Sequence, residues 1–265
     1  MGKQPDFIQK VRPKKQLGQH FLTDTNIAQR IVDSLDASNV DAVLEIGPGM
    51  GVLTQSLLNR FGERFYAAEI DSESVFYLKS LLPDLTSRLL EVDFLRYDLS
   101  QITTGKLAII GNFPYNISSQ IFFKVLNERD SVTEVVGMLQ REVAQRICES
   151  PGTKVYGILS VLLQAFYDIE YLFTVNEAVF TPPPKVKSAV IRLTRNQTVR
   201  LGCDEDIFFR LVKAGFNQRR KTLRNSVKSG FNGFVGNHPL LSKRPEQLGV
   251  NEFVELTNYI AGEIS

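Results

Sequence analysis

Ala42-Val-Leu-Glu-Ile-Gly-Pro-Gly-Met-Gly51 runs from an apolar segment straight into a glycine-rich turn. The apolar part, Ala42–Ile46, has the length and composition of a strand buried on both faces, as in a parallel sheet. A helix is expected next, from Val52 to about Asn59. A strand, a glycine turn and a helix N-terminus make a cradle for a nucleoside-containing ligand. Gly47 and Gly49 carry no β-carbon, so a ligand can touch the backbone there. The spacing is not that of the dinucleotide fingerprint, because Val52 stands at the sixth position of Gly-x-Gly-x-x-Gly. Pyrophosphate binding is therefore disfavoured.

The same reading extends downstream. Arg64–Glu69 is a second strand that ends in an acid 22 residues after Gly47, where a carboxylate accepts both ribose hydroxyls. Asp71 is the better helix cap, which leaves Glu69 for the ligand. Leu89–Asp93 is a third acid-ended strand; in the crevice Asp93 can accept an adenine amine of the ligand, and the plainer alternative is a surface loop acid.

Leu107-Ala-Ile-Ile110 is a further buried strand. It stops at Gly111 and is followed by Asn112-Phe-Pro-Tyr115. At the carboxyl end of a strand in an open α/β sheet such residues face the ligand crevice. The exocyclic amine of adenine is a weak nucleophile because its lone pair is delocalised into the ring. Acceptors on its two hydrogens favour the pyramidal, reactive form, and the Asn112 carboxamide oxygen and the Pro114 carbonyl can supply them. Proline fixes φ and so holds the direction of its carbonyl. Tyr115 offers a ring for base stacking. The plainer alternative is a strand followed by a proline turn with Tyr115 packed.

Composition bounds the rest. The 265 residues are 43% hydrophobic and 23% charged, with a net charge of only +2, so a nucleic-acid partner has to be read from the charge distribution. Cys148 and Cys203 lack metal-ligand spacing, and His20 and His238 lie far apart, which argues against a zinc or other metal site and for a reducing compartment. There is no long apolar run, and the basic start has no apolar centre and lacks the acylation pattern after Met1-Gly2, so a cytoplasmic location is expected. Residues 1–20 form a basic arm with Lys3, Lys10, Arg12, Lys14 and Lys15, read as solvated. Asp24 is an N-cap for an amphipathic helix with Ile27, Ile31, Val32 and Leu35 on one face.

Further on, Ser118–Glu128, Arg141–Glu149 and Tyr156–Ala165 read as helices and Glu134–Leu139 as a fifth strand. Tyr167–Val175 and Lys187–Thr194 suggest a final antiparallel pair. Between them Phe180-Thr-Pro-Pro-Pro-Lys185 is a stiff extended loop, and on the residues alone Phe180 reads as a core plug. Near residue 196 the pattern turns to helices only: Asp204–Phe216, Lys221–Val227 and Gly249–Ala261. Two domains are expected, 1–195 with the basic arm and 196–265. The stretch Leu211–Gly230 holds Lys213, Arg219, Arg220, Lys221, Arg224 and Lys228 and no acid. Arg220, Arg224 and Lys228 at four-residue spacing form one ridge if helical; the plainer alternative is a solvated face, and six cations without a compensating acid favour a phosphate-binding surface.

Gln16-Leu-Gly-Gln-His-Phe-Leu22, Glu45-Ile-Gly-Pro-Gly49, Glu69-Ile-Asp71, Asn112-Phe-Pro-Tyr-Asn-Ile-Ser118, Phe180-Thr-Pro-Pro-Pro-Lys-Val-Lys-Ser188 and Phe216-Asn-Gln-Arg-Arg-Lys-Thr-Leu-Arg-Asn225 occur in this order. Together they resemble the KsgA-type ribosomal RNA adenine dimethyltransferases over nearly the whole chain. Glu-x-Gly-x-Gly-x-Gly is also the form of S-adenosylmethionine sites. The resemblance implies an α/β fold: a Rossmann-like seven-stranded S-adenosylmethionine-dependent methyltransferase domain followed by a small all-helical domain that docks the ribosomal particle. It implies transfer of two methyl groups to each of two adjacent adenines near the 3′ end of 16S ribosomal RNA, in the immature small ribosomal subunit, by a monomer that also takes part in subunit maturation.

Carried onto this chain, the resemblance puts His20 and Leu22 at the methionine end of the cofactor site. It gives Gly47 the cofactor's backbone-facing part, Glu69 its ribose, Asp93 its adenine and Asn112 its sulfonium side. Phe180 becomes the partner of Tyr115 in an aromatic sandwich around the target adenine. Family members often carry Asn at position 20 and Leu at 113; here a backbone contact of His20 and an apolar wall from Phe113 are expected. A 23S ribosomal RNA adenine methyltransferase, or a non-catalytic RNA-binding assembly or transcription factor on the same fold, are the alternatives. The segment from Phe216 speaks against the first, and the intact Asn112-Phe-Pro-Tyr115 and glycine turn against the second.

Overall fold

A computed structural model describes residues 11–231 and 234–264. The first ten residues, with Met1-Gly2, Lys3 and Lys10 of the basic arm, lie outside the described residues. The chain forms two compact units. The first takes the residues up to Ala144 together with Glu170–Thr194, and the second takes Gln145–Ile169 and the chain from Arg195 onward. The sequence boundary near 196 coincides with the start of the second unit's last stretch. That unit also recruits 145–169, because the apolar face of a helix there packs against helices from the end of the chain.

In chain order the first unit contains β1 (Phe21–Leu22), α1 (Thr25–Asp33), β2 (Ala42–Ile46), α2 (Thr54–Phe61), β3 (Phe65–Glu69), α3 (Ser72–Leu81), β4 (Leu89–Glu91), β5 (Leu107–Asn112), α4 (Ser118–Asn127) and β6 (Val132–Gln140). Next come α5 (Arg141–Cys148), α6 (Ile158–Gln164) of the second unit, β7 (Tyr167–Val175), β8 (Phe180–Thr181) and β9 (Ser188–Arg195). The central sheet has seven strands in the order β4-β3-β2-β5-β6-β9-β7. The pairs β3–β4, β2–β3, β2–β5 and β5–β6 are parallel, and β9 runs antiparallel to β6. After β2 the chain adds β3 and β4 on one side and then crosses to lay β5 on the other. β2 and β5 therefore flank the switch point, and ligands bind at the carboxyl ends of the strands there.

Local chemistry sets these elements. All five residues of β2 are buried, as expected of a strand covered on both faces. Asp24 caps α1 by accepting the Asn26 and Ile27 N–H groups at 2.9 and 3.0 Å. One face of the sheet buries Val43, Phe65, Ala67, Leu89, Ala108 and Ile110 against Ile31, Leu57, Val75 and Leu78 of the helices.

The second unit is helical apart from its share of β7. It packs α7 (Glu205–Asn217) against α8 (Leu223–Gly230) and α9 (Val250–Ile264), with α6 against α7 and α9. Among the described residues, no helix is long and apolar enough to cross a membrane.

Candidate active site

A cleft opens at the switch point, with roughly 930 Å³ of empty space including open solvent at its mouth. Its walls come from the ends of four strands and from the segment before α1: Leu17–Phe21, Ile46, Gly47, Gly49, Ala68–Ile70, Val92–Leu95 and Asn112–Ile117. The expected His20, Gly47, Gly49, Glu69, Asp93, Asn112, Pro114 and Tyr115 all line it.

The turn after β2 needs glycine. Gly47 and Gly49 have φ of +67° and +54°, and a β-carbon on Gly49 would meet the Phe21 ring at 2.8 Å. Glu69, 5% exposed, ends β3 and ties this turn down. One carboxylate oxygen accepts the Gly49 N–H at 3.1 Å, and the other accepts Ile70 and Asp71 N–H at 2.9 Å each. Burial raises its pKa, opposed by these three donors. The donor set suits an adenosyl group: a fixed carboxylate for a ribose diol, with Ile70, Val92 and Phe94 as apolar walls beside it. Asp93 sits past the end of β4, with one oxygen accepting the Leu95 N–H at 2.9 Å and the other 3.6 Å from Arg96.

Asn112 ends β5, and its Nδ2 donates to the His20 carbonyl at 2.8 Å. A carbonyl can only accept, so the amide nitrogen must face it, which leaves Oδ1 as the atom open to a donor. The Pro114 carbonyl accepts the Ile117 N–H at 3.2 Å and retains a second lone pair. The Tyr115 hydroxyl is 2.5 Å from Ser188 Oγ, and burial pushes its pKa up, so it stays a neutral phenol. Phe113 is 1% exposed and packs edge-on against Phe122 at 5.8 Å, an apolar support beneath the turn.

Two expected residues lie elsewhere. Leu22 and Phe180 are cross-strand partners in the β1–β8 pair, 4% and 3% exposed, and both belong to the apolar core rather than to the cleft wall. The short antiparallel pairing turns both side chains inward, so the plug reading of Phe180 is the one this geometry follows. The ring beside Tyr115 is that of His20, with centroids 5.2 Å apart and planes tilted by 32°. His20 Nδ1 lies 2.8 Å from the Pro182 carbonyl, next to the cis Thr181–Pro182 peptide.

The basic stretch also differs from the expected ridge. α7 ends at Asn217 and α8 begins only at Leu223, so Arg220 is in a turn and not in line with Arg224 and Lys228. The break is enforced by Leu223, fully buried, whose N–H donates to the Lys243 carbonyl at 2.8 Å. Arg219 donates to the Thr153 and Lys154 carbonyls within its own unit, and Arg224 bonds Asn237 Oδ1 at 2.7 Å. Arg220, Lys221 and Lys228 are exposed, without an ion-pair partner among the described residues.

Sequence reading passed over another basic group. Ser188 pairs with Gln140 in the sheet, and the Arg141 N–H donates to the Lys187 carbonyl at 2.9 Å. Arg141 and Lys187, both exposed, thus flank the Ser188–Tyr115 contact, and Lys185, also exposed, lies two residues before Lys187 in the chain. The Pro-Lys-Val-Lys run was the available signal for two of them.

The seven-stranded sheet, the glycine turn and the acid-ended strands define a Rossmann-like methyltransferase. Residues 10–260 match the profile of the family described as ribosomal RNA adenine dimethylase, and the chain belongs to that family. It is 59% identical over 249 residues to ribosomal RNA small subunit methyltransferase A of Parabacteroides distasonis, covering 93% of each chain. To the protein of the same name from Cytophaga hutchinsonii it is 57% identical, over 97% of this chain and 100% of that one. A dimethyladenosine transferase from Plasmodium falciparum superposes with a TM-score of 0.75 at 25% identity, over 92% of this chain and 98% of that one. The 23S rRNA methyltransferase ErmE gives a TM-score of 0.64 at 25% identity, over 89% and 99%. The chain is therefore a ribosomal RNA adenine dimethyltransferase with the fold of S-adenosylmethionine-dependent enzymes.

Proposed function

We propose that this enzyme takes methyl groups from S-adenosylmethionine and places two on each of two adjacent adenines near the 3′ end of 16S ribosomal RNA, within the immature small subunit in the cytoplasm. The observation that carries the reading is the fixed carboxamide of Asn112, whose Oδ1 is left to accept an amine hydrogen at the cleft wall. The names of the relatives that match along almost the whole chain support the small subunit over the large one as the target.

When bound, S-adenosylmethionine supplies a methyl group on a sulfonium, an electrophile that requires no covalent enzyme intermediate. The chain's own residues supply position. Glu69 and the Gly47–Gly51 turn hold the nucleoside part, with Asp93 at its adenine. Asn112 Oδ1 and the Pro114 carbonyl accept the two hydrogens of the target amine and aim its lone pair. Tyr115, held at its hydroxyl by Ser188, stacks on the extruded base. No strong base is required, because the amine proton becomes acidic only once the methyl has arrived. Rate enhancement comes from orientation and preorganised acceptors. Arg141, Lys185 and Lys187 meet the phosphates beside the target, and Arg220, Lys221 and Lys228 offer a second set of contacts to the particle.

The test is incubation with methyl-labelled S-adenosylmethionine and unmethylated small subunits, followed by mapping of the label. The reading predicts label on two neighbouring adenines near the 3′ end of 16S RNA, two methyls each. Label on 23S RNA alone, or none, would overturn it.

A further inference from the structure

The segment Lys14–Leu22 crosses the cleft and contributes Leu17–Phe21 to its wall. Its far end is fixed: Phe21 and Leu22 pair with β8, the Thr23 N–H donates to the Val179 carbonyl at 2.9 Å, and the His20 carbonyl holds Asn112. Its near end meets Asp71, two residues past Glu69. Lys14 Nζ lies 2.5 Å from one Asp71 oxygen, and Gln19 Nε2 donates to the other at 3.2 Å. Gln19 Oε1 in turn accepts the Lys14 N–H at 2.8 Å, closing a ring of three residues. The Asp71 side chain is 1% exposed, so the pair is not an ordinary surface ion pair. Burial opposes ionisation of Asp71, but Lys14 and Gln19 outweigh it, and the carboxyl titrates below its usual range.

Asp71 has a second job. It caps α3 by accepting the Glu73 N–H at 3.2 Å, while its own N–H donates to Glu69. The residue that anchors the segment is thus bonded directly to the carboxylate assigned to the ribose. Between the two anchors, residues 15–18 make few bonds to the body; Asn116 Nδ2 reaches the Gln16 carbonyl at only 3.4 Å.

We propose that Asp71 is a positioning residue: through Lys14 and Gln19 it latches residues 14–19 across the cleft, and release of this latch governs how fast the cofactor leaves. The inference rests on the cleft being the S-adenosylmethionine site.

The experiment uses the full chain with Lys14→Met, Gln19→Ala, Asp71→Asn and the Lys14→Met/Asp71→Asn double variant. Asparagine also caps helices, so Asp71→Asn keeps the α3 cap while removing the charge. Two readouts are taken: dissociation of S-adenosylmethionine by stopped flow, and hydrogen exchange of the Leu17 and Gly18 amides, which donate to Lys14 and Lys15 carbonyls inside the segment. The latch predicts faster exchange at both amides and dissociation faster by about tenfold in each single variant, a typical size for coupling between sites. It further predicts a double variant no worse than either single one in both readouts. Wild-type exchange at these amides, or additive effects in the double variant, would overturn the latch. Faster exchange with no binding of S-adenosylmethionine even by the wild type would keep the latch and remove the assignment of the cleft.

Discussion

Asn112 Nδ2 donates to the backbone carbonyl of His20 at 2.8 Å, which joins the end of β5 to the segment that crosses the cleft. The bond fixes which end of the carboxamide faces the cleft without using any side-chain atom of residue 20. A different side chain at position 20 can therefore keep the orientation of Asn112, while the His20 ring makes its own contacts with Tyr115 and Pro182.

Glu69→Ala should weaken S-adenosylmethionine binding by about 1.5–3 kcal/mol, the cost of losing hydrogen bonds to a charged group. RNA binding should hold. Calorimetric titration with the cofactor checks this, and an unchanged affinity removes Glu69 from the ribose role.

Phe180 and Tyr115 should respond differently. Phe180→Ala should cost stability of about 3–5 kcal/mol as a core cavity, while Phe180→Leu folds and methylates. Tyr115→Ala should instead lose about 1–3 kcal/mol of stacking on the target base with little change in melting temperature. Thermal melts beside turnover rates decide. A folded but inactive Phe180→Leu would restore Phe180 as a stacking ring.

Glu45 is fully buried in β2, with the Thr54 hydroxyl beside it. Burial pushes its pKa up to about 8, opposed by the Thr54 hydroxyl and aided by the charge of Glu69. The carboxyl is then neutral in the folded chain at pH 7 but ionised in the unfolded one, so the unfolded state binds fewer protons and stability falls with rising pH. The slope is about 1.4 kcal/mol per pH unit between the unfolded and folded pKa values, levelling off above about 8. Glu45→Gln should remove this component, so the stability difference between the variant and the wild type should grow from pH 5 to 8. Denaturant titrations at three pH values test it; parallel curves would refute a neutral Glu45.

Lys185→Glu with Lys187→Glu should weaken binding to unmethylated subunits and lower the salt slope by roughly 0.7–0.9 for each phosphate the pair no longer neutralises. Arg219→Ala should act on melting temperature instead, since its guanidinium holds the loop at Thr153 and Lys154. Affinity at several salt concentrations, with melts of the same variants, separates the two. An unchanged slope for the lysine pair would take it off the RNA surface.

The fold was legible wherever a short stretch carries its own instruction. Buried strands that break at glycine or at an acid placed Gly47, Glu69, Asp93 and Asn112 in one crevice, because parallel strands bring their carboxyl ends together. Meetings between distant stretches were not legible. The inward turn of Leu22 and Phe180 depends on β1 meeting β8, and the partnership of Lys14 with Asp71 depends on the first segment folding back over β3. Neither periodicity nor charge spacing records such pairings. The ridge of Arg220, Arg224 and Lys228 failed for a related reason: the burial of Leu223, a tertiary demand, overrode the helical spacing.

The most direct measurement is the single-turnover rate of Asn112→Ala on saturating unmethylated subunits and cofactor, with binding of both measured on the same preparation. If Asn112 Oδ1 aims the amine, the rate should fall on the order of a hundredfold or more, as for other preorganised polar groups, while RNA affinity stays near that of the wild type. A variant that binds both partners and keeps most of the wild-type rate would contradict the account.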